Sequence, residues 1–177
     1  MDPCVNRRLK LLIGLAVVVA GGDAAAALPK DPCALLTPTE VQVLAPNAKI
    51  GHGKPDASMA PTGVACGYSW GPRTNEWGES AVTITVIDGS KAWRGTSPDT
   101  LAEGLRAKVK VPRSNASQVS GVGDAAVFSY EARSNNGTVE AYFKKKNLHL
   151  SIVFHSGESL ASKDKLVALL KQAAARL

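Results

Sequence analysis

The chain has 177 residues, 45% hydrophobic and 20% charged, with 21 Lys and Arg against 15 Asp and Glu for a net charge of +6. A moderately basic chain favours anionic neighbours such as envelope polymers or lipid headgroups. With no arginine-rich run and no basic residues interleaved with aromatics, it excludes a nucleic-acid binder.

The first elements form a leader. Asn6-Arg7-Arg8-Leu9-Lys10 is a short positive segment, Leu11 to Gly22 an apolar run, and Ala24-Ala25-Ala26-Ala27 a small-residue stretch. That is the n-region, h-region and A-x-A order of a secretory signal peptide, with cleavage expected after Ala27. An apolar run of about 12 residues is too short for a membrane anchor, which needs roughly 20. A lipid-attachment cysteine would directly follow that run, whereas Cys33 comes after Pro29-Lys30-Asp31-Pro32. The expectation is one periplasmic or secreted domain, residues 28–177, with no transmembrane helix after cleavage. Cys33 and Cys66 are its only cysteines. Two cysteines in an exported chain most simply pair, which is worth about 4 kcal/mol in loop-closure entropy; the alternative is two free thiols. With no neighbouring histidine and no C-x-x-C spacing, neither reads as a redox centre.

Leu36 to Ala45 reads as a helix. Thr37 caps it, Pro38 suits its first turn, Glu40 completes a T-x-x-E capping box and Pro46 stops it. Asn47 to Gly63 is a long Gly-, Pro- and Ala-rich connection holding Lys49, His52 and Lys54. Such backbone stays mobile unless a ligand or partner orders it. Val64 to Trp70 and Ala81 to Ile87 are strands, joined by a hairpin loop that carries Trp77. Pro98 to Val109 is a second helix with Leu101, Leu105 and Val109 on one stripe. Ala125 to Glu131, Thr138 to Lys145 and Leu148 to His155 are three more strands, with turns at Ser134-Asn135-Asn136-Gly137 and Lys146-Asn147. Leu148, Leu150, Ile152 and Phe154 alternate with His149, Ser151, Val153 and His155 as in a half-buried strand. Leu160 to Leu177 is a closing amphipathic helix with Leu166, Leu170, Ala173 and Leu177 inward. The order α-β-β-α-β-β-β-α predicts an α+β fold, an antiparallel five-stranded sheet packed with helices.

Asp31-Pro32-Cys33-Ala34-Leu35-Leu36-Thr37-Pro38-Thr39-Glu40-Val41 resembles the opening of small exported bacterial domains of unknown function, a DPCxLLT-type periplasmic and lipoprotein-like family. Cys66 in a strand, Gly121-Val122-Gly123-Asp124-Ala125-Ala126 before another strand, and the Ala/Leu-rich final helix extend the likeness over most of the mature chain. The resemblance implies a sandwich similar to the PsbP-like fold, with a Cys33–Cys66 disulfide tying the first helix to the sheet. It brings no catalytic residues, and the chain departs from the lipoprotein members in lacking their lipid-site cysteine.

Motifs with chemistry are sparse. Gly121-Val122-Gly123-Asp124-Ala125-Ala126 matches a relaxed dinucleotide fingerprint but leads into a strand, not a helix, so it reads as a loop. Ser162-Lys163-Asp164-Lys165 matches S-x-x-K without the partner motifs of serine acyl-transfer enzymes, and Ser162, or nearby Ser159, reads as a helix cap. His149 and His155 share a strand face about 20 Å apart, too far for one metal ion, and read as surface residues. Lys144, Lys145 and Lys146, with Tyr142, His149 and Arg133 nearby, form a candidate anion-binding tip, which is also how an exposed edge resists aggregation. Trp77 and Trp93 are loop aromatics, either recognition groups or side chains folded back on the core. No metal or cofactor is expected. The reading is an exported, non-enzymatic binding or accessory domain of the cell envelope, contacting a protein partner or an anionic ligand. The rival is a small periplasmic hydrolase with a dispersed active site.

The leader makes the first prediction. Intact-mass analysis of the exported protein should give a chain starting near Leu28 without lipid; a retained leader or an added diacylglycerol mass would refute it.

Overall fold

The computed structural model describes residues 27–71, 80–112, 114–156 and 162–177; the leader up to residue 26 and Trp77 lie outside them. Leu148–His155 (β7) alternates strictly between buried and half-buried residues and pairs over its whole length on both sides. Around it stand β1 (Lys54–Asp56), β2 (Gly63–Trp70), β3 (Ser80–Asp88), β4 (Ala116–Gln118), β5 (Ala125–Glu131) and β6 (Asn136–Phe143). They form a seven-stranded sheet in the order β1-β2-β3-β7-β6-β5-β4, with every pairing antiparallel. The helices are α1 (Pro38–Val41), α2 (Gly89–Ala92), α3 (Pro98–Ala107) and α4 (Lys163–Ala174), with 3-10 turns at Pro32–Leu35, Gln42–Leu44, Lys108–Lys110 and Lys144–Lys146.

The class is α+β, but the sheet has seven strands where five are expected, and the helix order differs. The extra strands, β1 and β4, have three residues each, too few to show a period-two pattern. β1 falls within the 47–63 connection, so part of that connection does pair, along Ala65–Gly67. The helix expected over Leu36 to Ala45 is one α-turn continuing as 3-10. Its capping box is present, but beyond Gln42 the side-chain amide donates to the carbonyls of Ala45 and Ala48 at 2.5 and 2.6 Å and ends the helix. Asn136 and Gly137 belong to β6, and the lysine triplet leaves the strand as a 3-10 turn closed by left-handed Asn147. The β5–β6 turn therefore puts Arg133 at the opposite end of β6 from that triplet.

One face of the sheet is thoroughly buried. Val82, Ile84, Val86, Leu150, Ile152 and Phe154 point into the main core, which the N-terminal turns and α4, with Leu166, Leu169, Leu170 and Ala173, cover. Each Val, Leu, Ile or Phe side chain among these contributes about 1.5–3 kcal/mol. Among the described residues, the opposite face is covered at one end, where Ala102 and Leu105 of α3 meet Ala125, Val127 and Tyr142.

Three contacts bind the N-terminal segment to this frame. Cys33 and Cys66 form a disulfide. The Tyr68 hydroxyl donates to the Leu36 carbonyl, and the Cys33 carbonyl lies 3.1 Å from it. Arg176, just past α4, donates to both Glu40 carboxylate oxygens at 2.8 and 2.6 Å and to the Leu35 carbonyl at 2.8 Å. The Arg176 guanidinium is the main reason that the Glu40 pKa falls to about 2.

Replacing Cys33 or Cys66 with Ser should lower stability by about 2–4 kcal/mol, because the unfolded chain regains a long loop. Urea unfolding under non-reducing conditions checks this, and both thiols being freely alkylatable in the folded protein would rule the bond out.

Candidate functional site

The half-covered face carries the site. The register sets Tyr142 opposite His149, and Glu140 opposite Ser151, so Glu140 and His149 are diagonal neighbours on one face. His149 Nε2 lies 3.4 Å from Glu140 Oε1. The chain leaves α3 through the Lys108–Lys110 turn, which brings Lys108 Nζ to 2.5 Å from Glu140 Oε2. Both carboxylate oxygens are thus engaged. The Glu140 and His149 side chains are 12% and 13% exposed, that of Lys108 49%.

The balance of forces on Glu140 is legible. Burial by itself would push its pKa up. Hydrogen bonds from His149 and Lys108, with the Lys108 charge, outweigh burial and hold it at about 2 against an ordinary 4.5. Facing a carboxylate, Nε2 carries a proton, which in a neutral ring makes Nδ1 an acceptor. That Nδ1 is buried and has no hydrogen-bond partner among the described residues. The Trp93 ring meets the imidazole edge to face, with centroids 5.8 Å apart at 86°.

Between α3 and the sheet, beside this cluster, is a cavity of about 260 Å³. Its apolar walls are Trp93, Leu101, Leu105 and Tyr142, and Lys108, Glu140 and His149 make its polar end. Gly104, in the middle of α3, borders it, and a Cβ there would meet nothing within 4 Å. A glycine inside a helix costs about 1 kcal/mol relative to alanine. Here no close packing calls for it, and its effect is to leave the pocket wall bare.

The expected site residues are scattered. His149 is in the cluster and is largely buried, not a surface residue. His155 sits at the other end of β7, its Nδ1 2.6 Å from Asn136 Oδ1. Lys144, Lys145 and Lys146 cap the β6–β7 hairpin, where Lys144 and Lys145 border a hollow of about 590 Å³ with Asp99 and Asp124. Lys144 is already paired there. Its Nζ lies 2.9 Å from Asp99, its backbone N–H donates to Asp124, and the Asp99 hydrogen bond raises its pKa. Lys49, His52 and Lys54 lie in or before β1, with β2 and β3 between them and β7. Among the described residues, no group of three or more His, Cys, Asp or Glu side chains is placed to hold a metal ion. No hydroxyl or thiol among them hydrogen-bonds His149, although Ser151 is two residues away on its face. Glu140, Lys108 and Gly104 were not singled out by sequence. The signal for Glu140 was available, as a lone carboxylate alternating with Tyr142 on a strand whose hairpin partner carries His149.

Compared with known proteins, the chain matches no family model, no curated protein and no solved structure.

The cluster makes a pH prediction. The folded pKa of Glu140 is depressed, so its contribution is complete above pH 4.5 and is lost as pH falls toward 2. Glu140→Gln should cost about 1–3 kcal/mol at neutral pH, since it leaves Lys108 and His149 without their anion. The deficit should shrink between pH 4.5 and 2, as followed by denaturant unfolding at several pH values; a deficit independent of pH would show that Glu140 is not the titrating group.

Proposed function

We propose that the chain is an exported, non-enzymatic binding domain of the cell envelope that holds a small ligand, or a short segment of a partner, in the pocket under α3. The observation that carries the reading is the pocket itself, an apolar recess with a few converging polar groups at one end, the usual composition of a binding site. The leader read in the sequence and the Cys33–Cys66 disulfide support a periplasmic or secreted location. Among the described residues, no helix is long and apolar enough to cross a membrane. The resemblance to small exported bacterial domains supports the same placement. Of the rival reading, hydrolysis through a covalent nucleophile is the less supported, since no hydroxyl or thiol among the described residues hydrogen-bonds His149.

Gly104 provides the test. Gly104→Ala should raise stability by about 0.5–1 kcal/mol, and Gly104→Phe should fill the pocket mouth while the protein stays folded. In ligand-observed NMR with a mixture of single-ring compounds, hits should bind the parent and the Ala variant and be lost with Phe. Hits indifferent to Gly104→Phe, or no hits at all, would overturn the reading.

A further inference from the structure

We infer that the ligand of this pocket is a monocyclic carboxylic acid, a flat ring bearing one carboxylate. The inference rests on the binding reading above and adds the ligand's chemical class.

Size sets the first limit. A sealed apolar cavity of about 150 Å³ holds one benzene ring. The recess here, about 260 Å³ and open on one side, has room for one ring and a short substituent. Shape sets the second. Trp93 and Tyr142 contribute aromatic walls, which pack on a flat ring by stacking or by edge contact. Gly104 lets such a ring approach the α3 backbone, because no side chain stands in the way.

Charge sets the third. Glu140 is the one buried anion of the cluster, and both its oxygens are taken, one by Lys108 and one by His149. A cationic ligand would set a further positive charge beside Lys108, which would repel it. Lys108 is different. An ammonium has three donors, and one of them goes to Glu140. The side chain is half exposed at the pocket's polar end, so its remaining N–H groups are free to meet an incoming anion. Glu140 holds Lys108 in place, and the ligand's carboxylate completes an alternating row of charges, Glu140, Lys108, ligand. His149 then acts as a positioning residue that keeps Glu140 ionised and oriented.

The test uses three probes of one shape, benzoate, benzamide and benzylamine, titrated against the oxidised protein by calorimetry and ligand-observed NMR. Benzoate should bind at least tenfold more tightly than benzamide, and benzylamine should bind weakest. Lys108→Gln should remove the preference for benzoate over benzamide, and Lys108→Arg should restore it. The comparison of probes on the parent protein depends on no variant folding. Equal binding of benzoate and benzamide, both lost in Gly104→Phe, would overturn the acid while leaving the pocket reading intact. Binding of none of the three, or binding that ignores Gly104→Phe, would overturn the inference and count against the pocket reading as well.

Discussion

The pairing of β7 with both its neighbours is the constraint on which the rest depends. All eight residues are matched on each side, to β3 and to β6. Because side chains alternate with a period of two, a slip of one residue would turn Leu148, Leu150, Ile152 and Phe154 out of the core and His149 into it. The same slip would part His149 from Glu140. Core and site are therefore not separate achievements of this fold, since one register sets both.

The two faces of the sheet are finished differently. On one, α4 and the N-terminal turns close completely over aliphatic side chains, and Arg176, Glu40 and the disulfide clamp that cover down. On the other, among the described residues, α3 seals the β5–β6 end with a small cluster of five buried residues. The charged cluster sits at the margin of this partial cover. Glu140 is buried enough for its hydrogen bonds to be strong, and Lys108 remains wet enough to keep its charge at little cost. Under full cover the same trio would carry a desolvation penalty on every member. In the open it would be an ordinary surface ion pair, worth little.

Much of the scaffold was legible from the chain. β2, β3 and β7 announced themselves by alternation, α3 and α4 by their apolar stripes, and the start of the first helix, though not its length, by Thr37 and Glu40. The three-residue strands were not legible, because Lys54-Pro55-Asp56 and Ala116-Ser117-Gln118 pair only where a longer neighbour holds them in place. The site was less legible still. Lys108 and Glu140 are 32 positions apart and Lys144 and Asp99 are 45 apart, so both ion pairs exist only once α3 has docked. A run of three lysines looks like free positive charge in sequence, yet Lys144 is countered by an aspartate from a distant helix. A glycine within a helix looks like a weak point until the hollow beside it is visible.

The place of β7 in the sheet has a consequence for the order of folding. The strand is central in space but next to last in the chain, so β2–β3 and β4–β5–β6 are two separate antiparallel units until it arrives. Each unit forms from local contacts. The joint between them waits for the final quarter of the chain, and so does the α4 cover that depends on the joint. Its β3–β7 joint pairs residues up to 74 positions apart, and such long-range contacts slow folding in general. A nascent chain of this kind can complete only the small α3 cluster before its last two elements are made, and its main core waits for them.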